Sequence, residues 1–385
     1  MPIKVNATLL SPYPFHIINQ AQQLSRLNSL ERLVTAIPVS RTGLPSSKVK
    51  NRLYLSGLRY YARKALPSSD HILSRMVIKD FDRWATNELG SSNVVNALSG
   101  FATNTLRLAA NKNVPICCDR GSWHILEQKR ILDEESEALG CRPIYFDPFM
   151  VERELQEYEI ADRIILPSEP AVQSFLRRGI NPSKIAKVPY GVDIDLFKPP
   201  NANIERKGLV CVATVGLRKG HHILVDAFRS LNSSKNELTL VGPIDQEWIR
   251  RLDLNRGDIR ITGTLNRSGL IKELQQASIF VLASLEEGLA LVIAQAMACG
   301  LPIVATESTG ASELINDGVE GFIVPSGDRK ALAVAIDTLL SDTEMAKNMG
   351  IAACNRVKSL GGWETYGQNI LNVFSALIQE KDENV

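Results

Sequence analysis

The stretch Ser284-Leu285-Glu286-Glu287-Gly288-Leu289-Ala290-Leu291-Val292-Ile293-Ala294-Gln295-Ala296-Met297-Ala298-Cys299-Gly300 follows the apolar run Ile279-Phe280-Val281-Leu282-Ala283 and leads into Leu301-Pro302. It reads as a strand, a charged turn containing glycine, and a helix of small residues. A turn between the carboxyl end of a strand and the amino end of a helix is where open α/β sheets receive anionic ligands. Glu287 lies in the turn and Gln295 eight residues on, about two helical turns away and near the same face. Two polar side chains so placed grip two parts of one ligand.

A second element of the same kind is Val215-Gly216-Leu217-Arg218-Lys219-Gly220-His221-His222-Ile223-Leu224-Val225-Asp226-Ala227-Phe228. A strand precedes it and an amphipathic helix follows. Two adjacent cations at a helix entrance, flanked by glycines, suit a pyrophosphate, because Arg clamps two phosphate oxygens and Lys adds a point charge. His221 and His222 read as helix-start residues.

Around these elements, short apolar runs alternate with helical segments, the pattern of parallel sheets with crossover helices. Strands are predicted at 5–10, 33–38, 94–98, 114–118, 163–167 and 185–188, then at 209–214, 238–242, 259–262, 279–283, 302–306 and 321–324. Gly, Asn and Pro cluster near Tyr190-Gly191-Val192-Asp193 and Pro199-Pro200-Asn201, marking a linker. The predicted class is α/β, with two Rossmann-like doubly wound domains of parallel sheet. The expected division is 1–190, 201–360 and a closing helical segment 361–385.

The 385 residues suffice for two domains with ample cores, and the net charge of +2 gives no argument for nucleic acid. No apolar run reaches about 18 residues, so no spanning helix is expected. Met1 to Asn6 has no apolar leader core, and Cys117, Cys118, Cys141, Cys211, Cys299 and Cys354 show no metal-ligand spacing, so a reducing cytoplasm is expected.

Glu287-Gly288 and Gln295-Ala296-Met297-Ala298 resemble the donor-binding motif of glycosyltransferase family four, the large retaining GT-B group. That pattern is Glu, seven residues, Glu, within a Glu-Gly…Glu-Ala-Met-Ala run, and here the second Glu is Gln295. Lys219-Gly220 matches the end of the family's Gly-Arg-x-x-x-x-Lys-Gly, whose Gly-Arg falls on Ala213-Thr214, so Arg218 stands as the second cation. Pro189-Tyr190-Gly191-Val192-Asp193 with Phe197-Lys198-Pro199 looks like the family's interdomain hinge. The match is rich from about residue 188 to 324 and general before that.

The resemblance implies a GT-B fold with two domains facing across a cleft, the last helix crossing back to the first domain near Trp363. It implies a metal-independent retaining glycosyltransferase that uses a UDP- or GDP-linked sugar as donor substrate and no other cofactor. Glu287, Arg218, Lys219 and His124 are the expected catalytic residues. Arg218, Lys219, Gly288, Leu289, Ala290, Leu291, Gln295 and Gly242 are expected to bind the donor. The family's histidine after the strand near residue 118 falls on Asp119 or Arg120, with His124 a turn later, and His16 stands where the family has a glycine-rich loop. Asp119, Arg120 and His16 are therefore candidate active-site residues. A glycan, a lipid or a small molecule is the expected acceptor.

From Arg32 to Ser69 there is no Asp or Glu, while eight residues are Lys or Arg and tyrosines interleave with them. Residues 48–66 suit peripheral contact with an anionic membrane or acceptor, or a surface helix with an apolar side in the core. The acidic residues of 151–163 are expected to form a solvated helix face. Asp80-Phe81-Asp82 and Asp193-Ile194-Asp195 have the spacing of a metal-binding triplet without the strand that should precede one, so no metal site is expected. A site decayed to a GT-B binding or scaffold protein, and a GT-B sugar-nucleotide epimerase, are the alternatives.

Overall fold

The computed structural model describes residues 3–53, 70–201, 204–231, 237–252, 254 and 257–383. The expected membrane segment 48–66 therefore lies outside the described residues from 54 onward.

In the first half the strands are β1 (Ala7–Ser11), β2 (Leu30–Thr35), β3 (Val49–Asn51), β4 (Val94–Leu98), β5 (Ile116–Asp119), β6 (Arg163–Leu166) and β7 (Ile185–Lys187). They form one parallel sheet in the order β3-β2-β1-β4-β5-β6-β7. Its helices are α1 (Ile17–Arg26), α2 (Asp70–Ala85), α3 (Thr103–Asn111), α4 (Ile125–Ala138), α5 (Pro148–Ile160) and α6 (Glu169–Leu176). The edge strand β3 is not anticipated from sequence, because three residues, two of them polar, carry no apolar run.

The second half has β8 (Leu209–Val212), β9 (Leu238–Val241), β10 (Ile259–Gly263), β11 (Ile279–Leu282), β12 (Ile303–Thr306) and β13 (Gly321–Val324), ordered β10-β9-β8-β11-β12-β13 and again parallel. Its helices are α7 (His221–Arg229), α8 (Gln246–Ile249), α9 (Arg267–Gln276), α10 (Leu291–Ala298), α11 (Arg329–Ser341) and α12 (Thr343–Ser359). A last helix, α13 (Gly362–Glu383), follows a break at Leu360 and Gly361.

Successive strand residues point to opposite faces, so Leu9 and Leu10 enter different cores. Leu9 joins Ile17, Leu24 and Leu33 on one side, where Tyr366, Ile370, Phe374 and Leu377 of α13 complete the layer. Leu10 joins Val34, Phe81, Leu106, Tyr158 and Phe175 on the other. The chain thus returns from the second sheet to cover the first. Lys381 pairs with Asp162 at 2.9 Å and Arg163 with Glu380 at 2.5 Å, fastening the end of α13 beside β6. Where the two crossings between sheets meet, a side chain on Gly191 would strike the backbone of Gly362 and Trp363.

In each sheet the strand order reverses once, between β1 and β4 and between β8 and β11. Loops leaving neighbouring strands there go to opposite faces and open a crevice at the carboxyl ends. Four loops are positioned this way: 12–16, 99–102, 213–220 and 283–290.

Of the acidic residues of α5, Glu152 and Glu159 are exposed as expected, but the other two are not. Glu154 and Glu157 are buried. Glu157 accepts hydrogen bonds from the backbone N of Gly100, from Ala102 N at 2.9 Å and from Thr103 Oγ1 at 2.8 Å, holding the loop after β4. Glu154 takes Arg120 at 3.0 Å and the Tyr158 hydroxyl at 2.5 Å.

Candidate functional site

The loops after β8 and β11 build one cluster. Gly220 closes the first loop with φ +62°, and a Cβ there would lie on the Ala283 carbonyl, so the two loops pack backbone to backbone. The tight turn turns Arg218 and Lys219 toward the second loop. Lys219 Nζ contacts Glu287 Oε1, and Arg218 Nη1 lies 3.3 Å from Glu287 Oε2 and 3.2 Å from Glu286 Oε2. Two cations and two carboxylates thus share the entrance to α10. Burial and the adjacent Arg218 guanidinium pull the Lys219 ammonium down to about 7, with Glu286 opposing them. The second loop is seated by Glu287 N on Ser308 O at 3.0 Å and Ala290 N on Thr309 O at 3.1 Å. Gly288, Leu289 and Ala290 continue directly into Leu291, the first residue of α10.

Glu286 is fully buried and reaches into the first domain. Its Oε1 accepts from the Ser122 hydroxyl and from Trp123 N at 2.9 Å, and its Oε2 from Gln128 Nε2 at 2.7 Å. Burial raises its carboxyl, but Arg218, Ser122 and Trp123 outweigh that and hold it below the usual range. Sequence reading misses Glu286, because a carboxylate in a strand-end turn looks like solvated charge. Beside it the two domains touch through backbone: a side chain on Gly288 would strike the Gly121 carbonyl, and the Ser168 hydroxyl donates to Gly288 O.

Across from α10, a cavity of about 360 Å³ is walled by Phe15, His16, Phe101, Arg120, Tyr190 and Leu291, among others. His16 Nε2 bonds Asp119 Oδ1 at 2.7 Å, and its ring lies 4.4 Å from that of Tyr190. Asp119, at the end of β5, is itself buried and also accepts from Gln20 at 3.3 Å. His16 and Asp119 are thus joined, though 103 residues apart. Arg120 is pinned by Trp123 O at 3.1 Å, Glu154 at 3.0 Å and Gln128 Oε1 at 3.0 Å.

His124 does not join them. It is the N-cap of α4, accepting from Leu126 N at 3.2 Å, and its ring packs 5.1 Å from Tyr158 and 4.9 Å from Phe175. Burial, with Arg178 and Arg120, pulls its pKa to about 4. A neutral imidazole facing the core of the first domain has no route to a ligand in the cleft, and the assignment of His124 to catalysis is withdrawn on that geometry.

Gln295 and Leu291 line a larger cavity of about 850 Å³ along the domain crossing, with Gly191, Asp193, Asn266, Arg267 and Trp363. Leu291 borders both cavities, so the amino end of α10 stands between them. Gly242 has φ +142°, and a Cβ there would overlap the Ala213 carbonyl, so it lets β8 and β9 end close together. Of the Asp triplets, Asp82 is consumed by Arg153 at 2.7 Å and by the first amides of α3, Asp80 pairs with Arg52 at 3.0 Å, and Asp193 and Asp195 line the larger cavity. Among the described residues no group of three or more His, Cys, Asp or Glu is arranged to hold a metal, and no helix is long and apolar enough to cross a membrane.

Comparison with known proteins agrees with this architecture. Residues 206–342 match the family model described as Glycosyl transferases group 1. The chain is 31% identical over 212 residues to a GDP-mannose-dependent alpha-(1-6)-phosphatidylinositol monomannoside mannosyltransferase of Mycolicibacterium smegmatis, covering 49% of this chain and 55% of that protein. It is 28% identical over 248 residues to a D-inositol 3-phosphate glycosyltransferase of Kribbella flavida, covering 57% and 58%. The chain thus spans little more than half the length of these curated relatives. Among solved structures, the sucrose-phosphate synthase of Thermosynechococcus elongatus superposes with a TM-score of 0.70 at 19% identity, over 98% of this chain and 100% of that one. Anabaena HepE in complex with UDP-glucose superposes at 0.66 and 18% identity, over 96% and 99%. Two parallel-sheet domains meeting across a cleft give the chain the GT-B fold, and its second domain carries the match to Glycosyl transferases group 1.

Proposed function

We propose that this chain is a metal-independent retaining glycosyltransferase moving a sugar from a UDP- or GDP-linked donor to a hydroxyl of a carbohydrate or lipid-linked acceptor. The observation that carries the reading is the meeting of Arg218, Lys219 and Glu287 at the entrance to α10, facing a first-domain cavity. The relatives support the donor class: one is named as GDP-mannose-dependent, and another structure holds UDP-glucose.

In this reading the nucleoside lies along the larger cavity with its ribose at Gln295, and the acceptor enters the smaller one. The diphosphate takes Lys219 and Arg218 from Glu287, which turns to the sugar hydroxyls. The bond from C1 to the leaving phosphate oxygen breaks, the acceptor oxygen bonds C1 on the same face, and the acceptor's hydroxyl proton passes to the leaving diphosphate. The two cations stabilise the charge growing on the diphosphate. Closure over the site keeps water from the donor. His16, held by Asp119, and Arg120 face the acceptor. We place the protein in the cytoplasm, with its basic 48–66 segment against an anionic membrane face.

A screen of nucleotide sugars for donor hydrolysis and transfer tests the reading: consumption of none of them, with no nucleoside diphosphate bound, overturns it. Activity is expected to survive chelation, and rescue of a chelated sample by manganese or magnesium would return attention to Asp193 and Asp195.

Gln295→Ala is expected to loosen donor binding with little change in turnover, because ribose contacts exist in both ground and transition states. Gln295→Glu is expected to keep or tighten it, since an ionised acceptor bonds more strongly. Donor titration and steady-state kinetics on both variants check this, and a Gln295→Ala protein with wild-type affinity removes the residue from the ribose.

Lys219 gives a proton signature. Its free ammonium titrates at about 7, and a bound diphosphate raises it. Between the two values binding takes up a proton. Titration calorimetry at pH 8 in two buffers of different ionisation enthalpy is expected to show uptake of roughly one proton, lost in Lys219→Arg. Buffer-independent heats would place the diphosphate elsewhere or show Lys219 already charged.

A further inference from the structure

The cations of the donor loop are linked to the acceptor cavity by an unbroken run of polar contacts. Glu154 holds Arg120 at 3.0 Å, and Arg120 Nη2 donates to Gln128 Oε1 at 3.0 Å. Gln128 Nε2 donates to Glu286 Oε2 at 2.7 Å, and the same oxygen lies 3.2 Å from Arg218 Nη1. Glu154, Arg120 and Gln128 belong to the first domain, and Glu286 and Arg218 to the second. At the boundary stands one carboxylate, fully buried, with Ser122 and Trp123 N on its other oxygen.

Each member suits its place. Gln128 presents its carbonyl to a guanidinium and its amide nitrogen to a carboxylate; a Glu there would set two carboxylates against each other. Glu286 has donors from the first domain on both oxygens. Among the described residues, Arg218 is the side chain that ties the Glu286 carboxylate to the 213–220 loop. Removing Glu286 therefore leaves the Ser122 hydroxyl and Trp123 N without their acceptor and Gln128 Nε2 with the Ser122 oxygen alone at 3.2 Å, while Arg218 keeps Glu287 at 3.3 Å. Arg218 is the most exposed of the four charged groups at the loop entrance, with 35% of its side chain open, so a diphosphate reaches it without dismantling the boundary contact.

We infer that Glu286 and Gln128 are positioning residues that make seating of Arg218 and closure of the first domain on the donor loop one event. The inference rests on the proposed glycosyl transfer at this site. In the donor-free protein Glu286 holds Arg218 at the boundary; with a diphosphate bound, Arg218 bridges the phosphate and Glu286 and presents the donor to a closed acceptor cavity. Neither Glu286 nor Gln128 touches the donor in this scheme.

The test uses Glu286→Gln and Gln128→Leu, one on each side of the boundary, in the full chain. Three readings are taken: calorimetric affinity for UDP and GDP, steady-state kinetics with the donor found in the screen, and amide hydrogen exchange at Trp123. Both variants are expected to bind nucleoside diphosphate within about threefold of wild type while turnover falls at least tenfold and the Trp123 amide exchanges at least tenfold faster. Thermal unfolding identifies a variant that fails to fold, in which case Gln128→Asn, which keeps the amide but falls short of Glu286, replaces it with the same expectation. Turnover and Trp123 exchange unchanged in both variants overturn the inference. So does equal loss of nucleotide affinity and turnover, which marks Glu286 as a support of the phosphate site alone. A wild type that consumes no sugar nucleotide overturns the function beneath it, whereas an active wild type with indistinguishable variants overturns the inference alone.

Discussion

Lys219→Ala is expected to weaken nucleoside-diphosphate binding at least tenfold. A hydrogen bond to a charged group contributes about 1.5–3 kcal/mol, which is roughly ten- to more than a hundredfold in affinity. The structure adds a second cost. Lys219 is in contact with Glu287, so its removal leaves a carboxylate less screened beside the place of the phosphates. The fold itself is expected to hold, because Glu287 keeps Arg218 at 3.3 Å. Arg218→Ala is the less clean variant: it also strips the cation from the buried Glu286, so it is expected to lower stability as well as affinity. Titration calorimetry on folded Lys219→Ala is the measurement, and wild-type affinity would move the phosphates away from this loop.

Gly288→Ala is expected to lower turnover by about a hundredfold, the scale on which a misplacement of about 1 Å is felt at a reacting centre. The added methyl would enter the Gly121 carbonyl and lie 2.9 Å from Ser122 N, atoms of the other domain's backbone that cannot rotate away. The domains must part, or the 283–290 loop must shift. Gly220→Ala is the contrast. There the obstruction is the Ala283 backbone of the same domain, and φ is +62°, so a strained backbone adds to the clash. Gly220→Ala is expected to lose stability and nucleotide affinity together, whereas Gly288→Ala loses turnover with the nucleotide still bound. Kinetics, titration and thermal unfolding of the pair separate the two. A Gly288→Ala enzyme with wild-type turnover would show that this backbone contact is absent from the working conformation.

What is legible in the sequence divides along physical lines. Parallel strands buried on both faces are continuous apolar runs, so β4 and β13 are read with their exact bounds and most others within a few residues. The three-residue β3 has no such run. Turn chemistry is local as well, so the two strand-turn-helix elements around Lys219 and Glu287 stand out. The partners of polar side chains are not local. Glu157 reads as solvated charge because the amides it holds come from more than 50 residues away. His16 and Asp119 meet only through the fold, and so do Glu286 and Gln128, 158 residues apart. His124 is misplaced by counting along a loop, since capping α4 turns its ring inward.

The return of α13 also sets an order of manufacture. Ile17, Leu24 and their neighbours on α1 are covered by Ile370, Phe374 and Leu377, residues the ribosome adds some 350 positions later. The second domain's sheet is finished at Val324, before any of that cover exists. At roughly 5–20 residues per second, the amino-terminal domain waits tens of seconds after its own strands are made with an apolar face bare. The domain synthesised first is therefore the one completed last, and during translation it is the half left with apolar surface open to association.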